Sequence, residues 1–140
     1  MKVPQNFYAR SRARRLAMQA AYQWQIAGQD INEIIEQFVS EAGYEQVDDA
    51  HFRTLLQAAT SKSLDKKLES CMAKSVAEVD TIERFILRNA AYEIACIAEI
   101  DSAVAIDEAV QIAKKFCGSG SYRFVNGVLD CFAKKYALID

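Results

Sequence analysis

The residues best equipped for chemistry sit near the N-terminus. The segment 10-RSRARR-15 supplies Arg10, Arg12, Arg14 and Arg15, and Gln19 and Tyr22 follow it. Guanidinium groups pair with phosphates in a planar fork, and an aromatic ring can stack on an unpaired base. Arg12 and Gln19 are seven residues apart, as are Arg15 and Tyr22. On a helix that spacing is close to two turns, so basic, amide and aromatic groups line one flank. Cations at a helix start oppose its macrodipole, each at a cost of about 0.3–1 kcal/mol. Folding stability therefore gives no reason for four of them here. A second basic–aromatic pair, Arg123–Phe124, stands behind Ser121 in 121-SYRFVNGVLD-130. At a helix N-terminus, free N–H groups favour phosphate. Residue types alone leave other readings open: a solvated N-terminal arm, and Tyr22 and Phe124 as plain core.

Other constellations are scarce. His51 is the sole histidine, beside Asp48 and Asp49, and reads as a surface or capping residue. No serine is marked as its nucleophilic partner. The 118-GSG-120 segment lacks the lysine of a phosphate loop. The carboxylates are scattered, as on solvated helix faces, so no catalytic, metal or cofactor site is expected. Cys71, Cys96, Cys117 and Cys131 match no zinc or redox spacing. They are expected to be reduced, each acting as a small hydrophobe in a cytoplasmic protein.

These groups need elements to position them. With 140 residues, 51% hydrophobic and 26% charged, a single soluble globular domain is expected. The longest purely apolar run, Ile94 to Ala98, is five residues, against about 20 for a membrane span. No apolar stretch near the N-terminus suggests a secretory signal. The net charge of -2 is uneven: residues 1–15 carry five basic groups and no acid, so a basic arm precedes an acidic body. Such an arm suits an anionic partner.

The apolar spacing is helical throughout. The first helix is expected from about Asn6 to Ala27, with Leu16, Ala20, Trp24 and Ala27 inward and Gly28 closing it. The segment 30-DINE-33 resembles a capping box for a second helix. A third follows Asp48 or Asp49, a fourth starts near Ser63, and Ser75 caps a long fifth. Asp101 or Ser102 caps a sixth, and Ser119 or Ser121 a last one. Asn126-Gly127 would suit a hairpin turn, but its flanking arms are too short. Phe124, Val125, Val128, Leu129, Phe132 and Tyr136 share one helical face instead. Gly127 then leaves a gap on the helix surface one turn from Phe124.

Four segments, 14-RRLAMQAAYQWQ-25, 83-ERFILRNAAYEI-94, 106-IDEAVQIAKKF-116 and 124-FVNGVLD-130, occur in this order along the chain. In that order and at this length the chain resembles the NusB family of bacterial transcription antitermination factors. The resemblance implies an all-α fold of about seven helices in two small packed bundles, with no enzymatic activity. It implies binding of single-stranded boxA RNA together with NusE, a small-subunit ribosomal protein. It implies a wider partner, the RNA polymerase antitermination complex with other Nus factors, on ribosomal RNA operons. It implies RNA contacts from Arg10, Arg12, Arg14, Arg15, Gln19, Tyr22, Ser121, Arg123 and Phe124, with Glu83 as a further polar contact. Ser11 interrupts the arginine run, Asp101 replaces a common proline, and Gly120 replaces a common acidic residue. The alternative is a non-catalytic helical interaction module, or a homodimer that buries the arm. NusB-like domains precede methyltransferase domains in some proteins, and at this length no such domain is expected.

Overall fold

A computed structural model describes residues 5–138. Among these the chain forms seven α-helices: α1 (Gln5–Ala27), α2 (Ile31–Val39), α3 (Asp49–Ala59), α4 (Asp65–Glu69), α5 (Thr81–Cys96), α6 (Ser102–Phe116) and α7 (Ser121–Tyr136). Short 3-10 turns span Tyr44–Gln46 and Val76–Glu78, and no strand occurs among the described residues. The helices fall into two compact units that divide after Thr60.

In the first unit α1 packs along α3 and, over a shorter length, on α2. Its buried face is Ala13, Ala17, Ala20 and Ala21 with Met18. That differs from the expected Leu16–Ala20–Trp24–Ala27 side: Leu16 and Trp24 are only half-buried and Ala27 is exposed. Alanines carry no bulk, so they admit a neighbouring helix closely. Phe52, Leu55, Leu56 and Ala59 of α3 and Ile34 of α2 fill the rest of the core. Phe38 stacks on Phe52 with ring centroids 6.1 Å apart, and Tyr44 meets the same ring edge-on at 5.9 Å. Asp48 fastens the α2–α3 connection. Its carboxylate accepts the His51 N–H at 3.0 Å, capping α3, and its own N–H donates to the Ala9 carbonyl of α1 at 3.1 Å. His51 is buried, not a surface residue, because it faces inward beside Phe52 in the first turn of α3. The Tyr44 hydroxyl donates to Asp49 at 2.5 Å, and this bond, more than Arg53 at 3.1 Å, holds the Asp49 carboxyl below its ordinary range. Gly28 closes α1 at φ 65°, its N–H bonded to the Trp24 carbonyl. Asp30 precedes α2 without a side-chain cap.

In the second unit α5 is the spine, and α4, α6 and α7 all pack on it. Every residue from Phe85 to Ile94 except Tyr92 is buried. Arg88 therefore requires a partner, and Asp65 of α4 supplies one with paired bonds of 3.0 and 2.9 Å. Arg84 donates to the carbonyls of Val76, Ala77 and Val79 at 3.3, 3.1 and 3.0 Å. These bonds hold the turn before α5. The capping box forms here, between Ser75 and Glu78. It closes the 3-10 turn rather than α5, which starts after Asp80. The fourth helix is only Asp65–Glu69, since Cys71 to Ser75 leave the helical path.

The structure departs from the sequence expectations in two further places. Cys71 and Cys131 form a disulfide and are not reduced, their Cα atoms 5.8 Å apart. α4 packs on α7, and that packing joins residues 60 positions apart, a proximity no local spacing reveals. Neither Ser119 nor Ser121 caps α7. Gly120 does so at φ 86°, a left-handed geometry that glycine adopts freely.

Asn126 and Gly127 lie inside α7, as the periodicity required. A Cβ at Gly127 would meet nothing within 4 Å. Gly127→Ala should therefore raise stability by about 0.5–1 kcal/mol in urea unfolding. Asp65→Ala should lower it by about 1.5–3 kcal/mol, because the buried Arg88 guanidinium loses its two charge-assisted bonds to this carboxylate.

Candidate nucleic-acid interface

One turn of an α-helix takes 3.6 residues, and this sorts the arginines of α1 onto opposite sides. Arg10 and Arg14 are four apart and follow the buried alanines. Arg14 is only 6% exposed. Arg10 pairs with Asp48, Nε to Oδ2 3.6 Å, and its Nε makes no hydrogen bond. Arg12, Arg15, Gln19 and Tyr22, at spacings of three, four and three, form the outward stripe. Tyr22 is exposed, and Arg12, Arg15 and Gln19 are half-exposed. Arg12 Nη1 reaches the Gln46 carbonyl at the long limit of 3.5 Å, which leaves the rest of its fork open. The arginine run therefore divides by exposure: Arg12 and Arg15 lie on the open stripe, whereas Arg10 is paired with Asp48 and the Arg14 side chain is largely withdrawn from solvent.

Sequence reasoning missed two members of this stripe. Tyr8 is 47% exposed and stands four residues before Arg12 and seven before Arg15. Ile26 is 64% exposed, four residues after Tyr22. The same seven-residue rule that aligned Arg15 with Tyr22 would have found Tyr8.

The second patch surrounds the start of α7. The Ser121 hydroxyl donates to the Glu83 carboxylate, which joins the first turn of α5 to the first residue of α7. Glu83 is thus placed at this surface with its carboxylate already engaged. The N–H groups of Ser121 and Arg123 donate to the carbonyls of Gly118 and Gly120, both at 3.1 Å. Those two amides are not open to a phosphate as expected; the side chains carry the site's positive character. Arg123 is exposed, and its guanidinium lies 5.3 Å from the Tyr122 ring centre. Lys114 sits 5.0 Å from the same centre, and Lys74 lies over Phe124 at 5.5 Å. Cations over aromatic rings gain about 0.5–1 kcal/mol at exposed sites. Lys74, Lys114 and Tyr122 were not anticipated. Lys114 lies eight residues before Tyr122, in the last turn of α6, while Lys74 comes from the segment after α4 that packing brings to α7.

Cys117 borders this patch. Burial pushes its thiol up from the ordinary value, the charges of Glu83 and Asp80 push the same way, and the Ser121 hydroxyl opposes them. No cluster of three or more His, Cys, Asp or Glu among the described residues could hold a metal ion. No helix among them is long and apolar enough to cross a membrane.

Comparison with known proteins agrees with this fold. The model of the NusB family matches residues 11–134. The chain is 41% identical over 133 residues to transcription antitermination protein NusB of Xanthomonas axonopodis pv. citri, covering 94% of this chain and 84% of that one. It is 42% identical over 123 residues to the protein of the same name from Shewanella piezotolerans, covering 86% and 91%. Among solved structures, T. maritima NusB superposes with a TM-score of 0.79 at 29% identity, covering 99% and 96%. A crystal structure of antitermination factors NusB and NusE in complex with dsRNA gives 0.73 at 23% identity over 93% and 98%, a likeness of fold.

The raised Cys117 thiol makes a direct prediction. Thiolate is the nucleophile, so less of it is present at a given pH. Iodoacetamide near pH 8 should modify exposed Cys96 several-fold faster than half-buried Cys117. Peptide mass mapping over time reads the order, and faster reaction at Cys117 would contradict the assignment.

Proposed function

This chain belongs to the NusB family, and we propose that it is a transcription antitermination factor that binds boxA-type single-stranded RNA together with NusE. It acts in the cytoplasm, within the RNA polymerase antitermination complex on ribosomal RNA operons, and performs no catalysis. The observation that carries this reading is the outward stripe of α1. Arg12, Arg15, Gln19 and Tyr22 share one open face, and the core packing of the helix does not use them. Arg12 and Arg15 contact phosphates, Gln19 donates to a base edge or sugar, and Tyr22 stacks on a base. Around α7, Arg123 meets phosphate, Phe124 a base, and Ser121 and Glu83 set the helix start. Arg10, paired with Asp48, and Arg14, largely buried, add positive charge behind the open face of α1.

The test is titration of a boxA oligonucleotide, with and without NusE, at two salt concentrations. Affinity should fall steeply with salt as phosphate counterions are released. Replacing Arg12 and Arg15 by alanine together should reduce the logarithmic salt slope by about 1.4, near 0.7 for each single-strand phosphate that is no longer neutralised. Tyr22→Ala should weaken binding by about 1–3 kcal/mol and leave that slope unchanged. Absence of binding in every condition, or a stable homodimer that boxA RNA does not disturb by light scattering, would favour a protein-interaction module instead.

A further inference from the structure

Cys71 lies between α4 and the Val76–Glu78 turn, and Cys131 lies in the third turn of α7. Both are half-buried and lie outside the fully buried core. A protein working on RNA in the cytoplasm meets a thiol-reducing pool. There a disulfide between cysteines outside the buried core is an exchangeable bond rather than a permanent staple.

The bond controls a specific piece of surface. Lys74, three residues after Cys71, is the cation over Phe124. Apart from the disulfide, the bonds between the Ser70–Lys74 stretch and α7 are exposed and weak. Lys135 Nζ reaches the Ser70 carbonyl at 3.2 Å and its hydroxyl at 3.3 Å, and the Tyr136 hydroxyl lies 3.5 Å from the Ser70 hydroxyl. Such surface interactions hold a loop only loosely. The covalent tie to Cys131 restricts the same loop directly.

We propose that Cys71 and Cys131 form a thiol–disulfide switch whose closed state sets Lys74 over Phe124 and strengthens RNA binding at the start of α7. The proposal rests on reading Phe124 as an RNA contact. Closure proceeds by exchange with a small-molecule disulfide such as oxidised glutathione. One cysteine thiolate attacks it, forming a mixed disulfide and expelling one small thiolate. The other cysteine thiolate attacks the protein sulfur of that mixed disulfide, forming the Cys71–Cys131 bond and expelling a second small thiolate. The two protein thiols lose two electrons and two protons, and the small disulfide gains them as two thiols. With the loop tethered, less ordering remains when RNA arrives. The Lys74 ammonium, on its flexible stem, turns from the ring to a phosphate as a base approaches Phe124.

The 140-residue chain is compared after oxidation by oxidised glutathione and after reduction by dithiothreitol. Peptide mapping should find the Cys71–Cys131 linkage in the oxidised form, and amide hydrogen exchange over 70–76 should slow. BoxA oligonucleotide affinity should rise about threefold, the size of one exposed ion pair between Lys74 and a phosphate. Cys131→Ser should show none of these changes on oxidation, and Lys74→Ala should keep the slowed exchange but lose the gain in affinity. Failure to form the linkage, unchanged exchange over 70–76, or equal or weaker RNA binding after oxidation would each overturn the switch. RNA binding absent from both forms would sink the functional reading and the effect on RNA with it, while linkage and exchange, read without RNA, decide separately whether the tether exists.

Discussion

A helix buries one side and shows the other, and this constraint on α1 shapes the first unit and its site. Alanines at 13, 17, 20 and 21 admit α3 closely, so the opposite side must face solvent. Arg12, Arg15, Gln19 and Tyr22 occupy that open side because of where the alanines fall. The same geometry draws Arg10 and Arg14 toward the protein. Cations near a helix N-terminus are unfavourable on their own. Here Asp48 beside Arg10 and the Gln46 carbonyl beside Arg12 offset part of that cost. Asp48 also caps α3 and bonds to Ala9, so one residue ties the loop, the third helix and the arginine arm together.

The second unit solves a different problem. α5 is buried on most of its circumference yet carries Arg88, Asn89 and Glu93. Asp65 answers Arg88 with a two-pronged pair, which fixes the short α4 against α5. Such a pair adds little net stability relative to apolar packing but strongly penalises misplacement of either partner. Asn89 is the exception, with both amide atoms buried and unbonded among the described residues. At its N-terminal end α5 presents Glu83 to Ser121 and so fixes where α7 begins. The positions of Tyr122, Arg123 and Phe124 follow from that bond and from the left-handed turn at Gly120. The lysines that lie over these rings belong to α6 and to the segment after α4.

Much of this was legible in residue order. Periodicity located the helices and placed Asn126-Gly127 inside one, because a 3.6-residue repeat of bulky apolar groups outweighs one local turn signal. Asp48 as a cap and Gly28 as a helix end followed from local chemistry, which acts over three or four residues. Caps failed where an alternative lay equally near: Ser75 serves a 3-10 turn, and Gly120 displaces two serines. The inward side of α1 was misread because Leu16 and Trp24 are more hydrophobic than alanine. Close approach of α3 favours small residues over greasy ones.

Sequence by itself determined the all-helical class, the basic arm, the candidate RNA residues and the family resemblance, since these rest on composition, short spacing and ordered motifs. Tertiary structure alone decided which arginines face solvent, which lysines cover Tyr122 and Phe124, that His51 is buried, and that Cys71 meets Cys131. The physical reason is range. Periodicity and capping act within a few residues, whereas burial, ion pairing and disulfide proximity depend on which segments the core brings together.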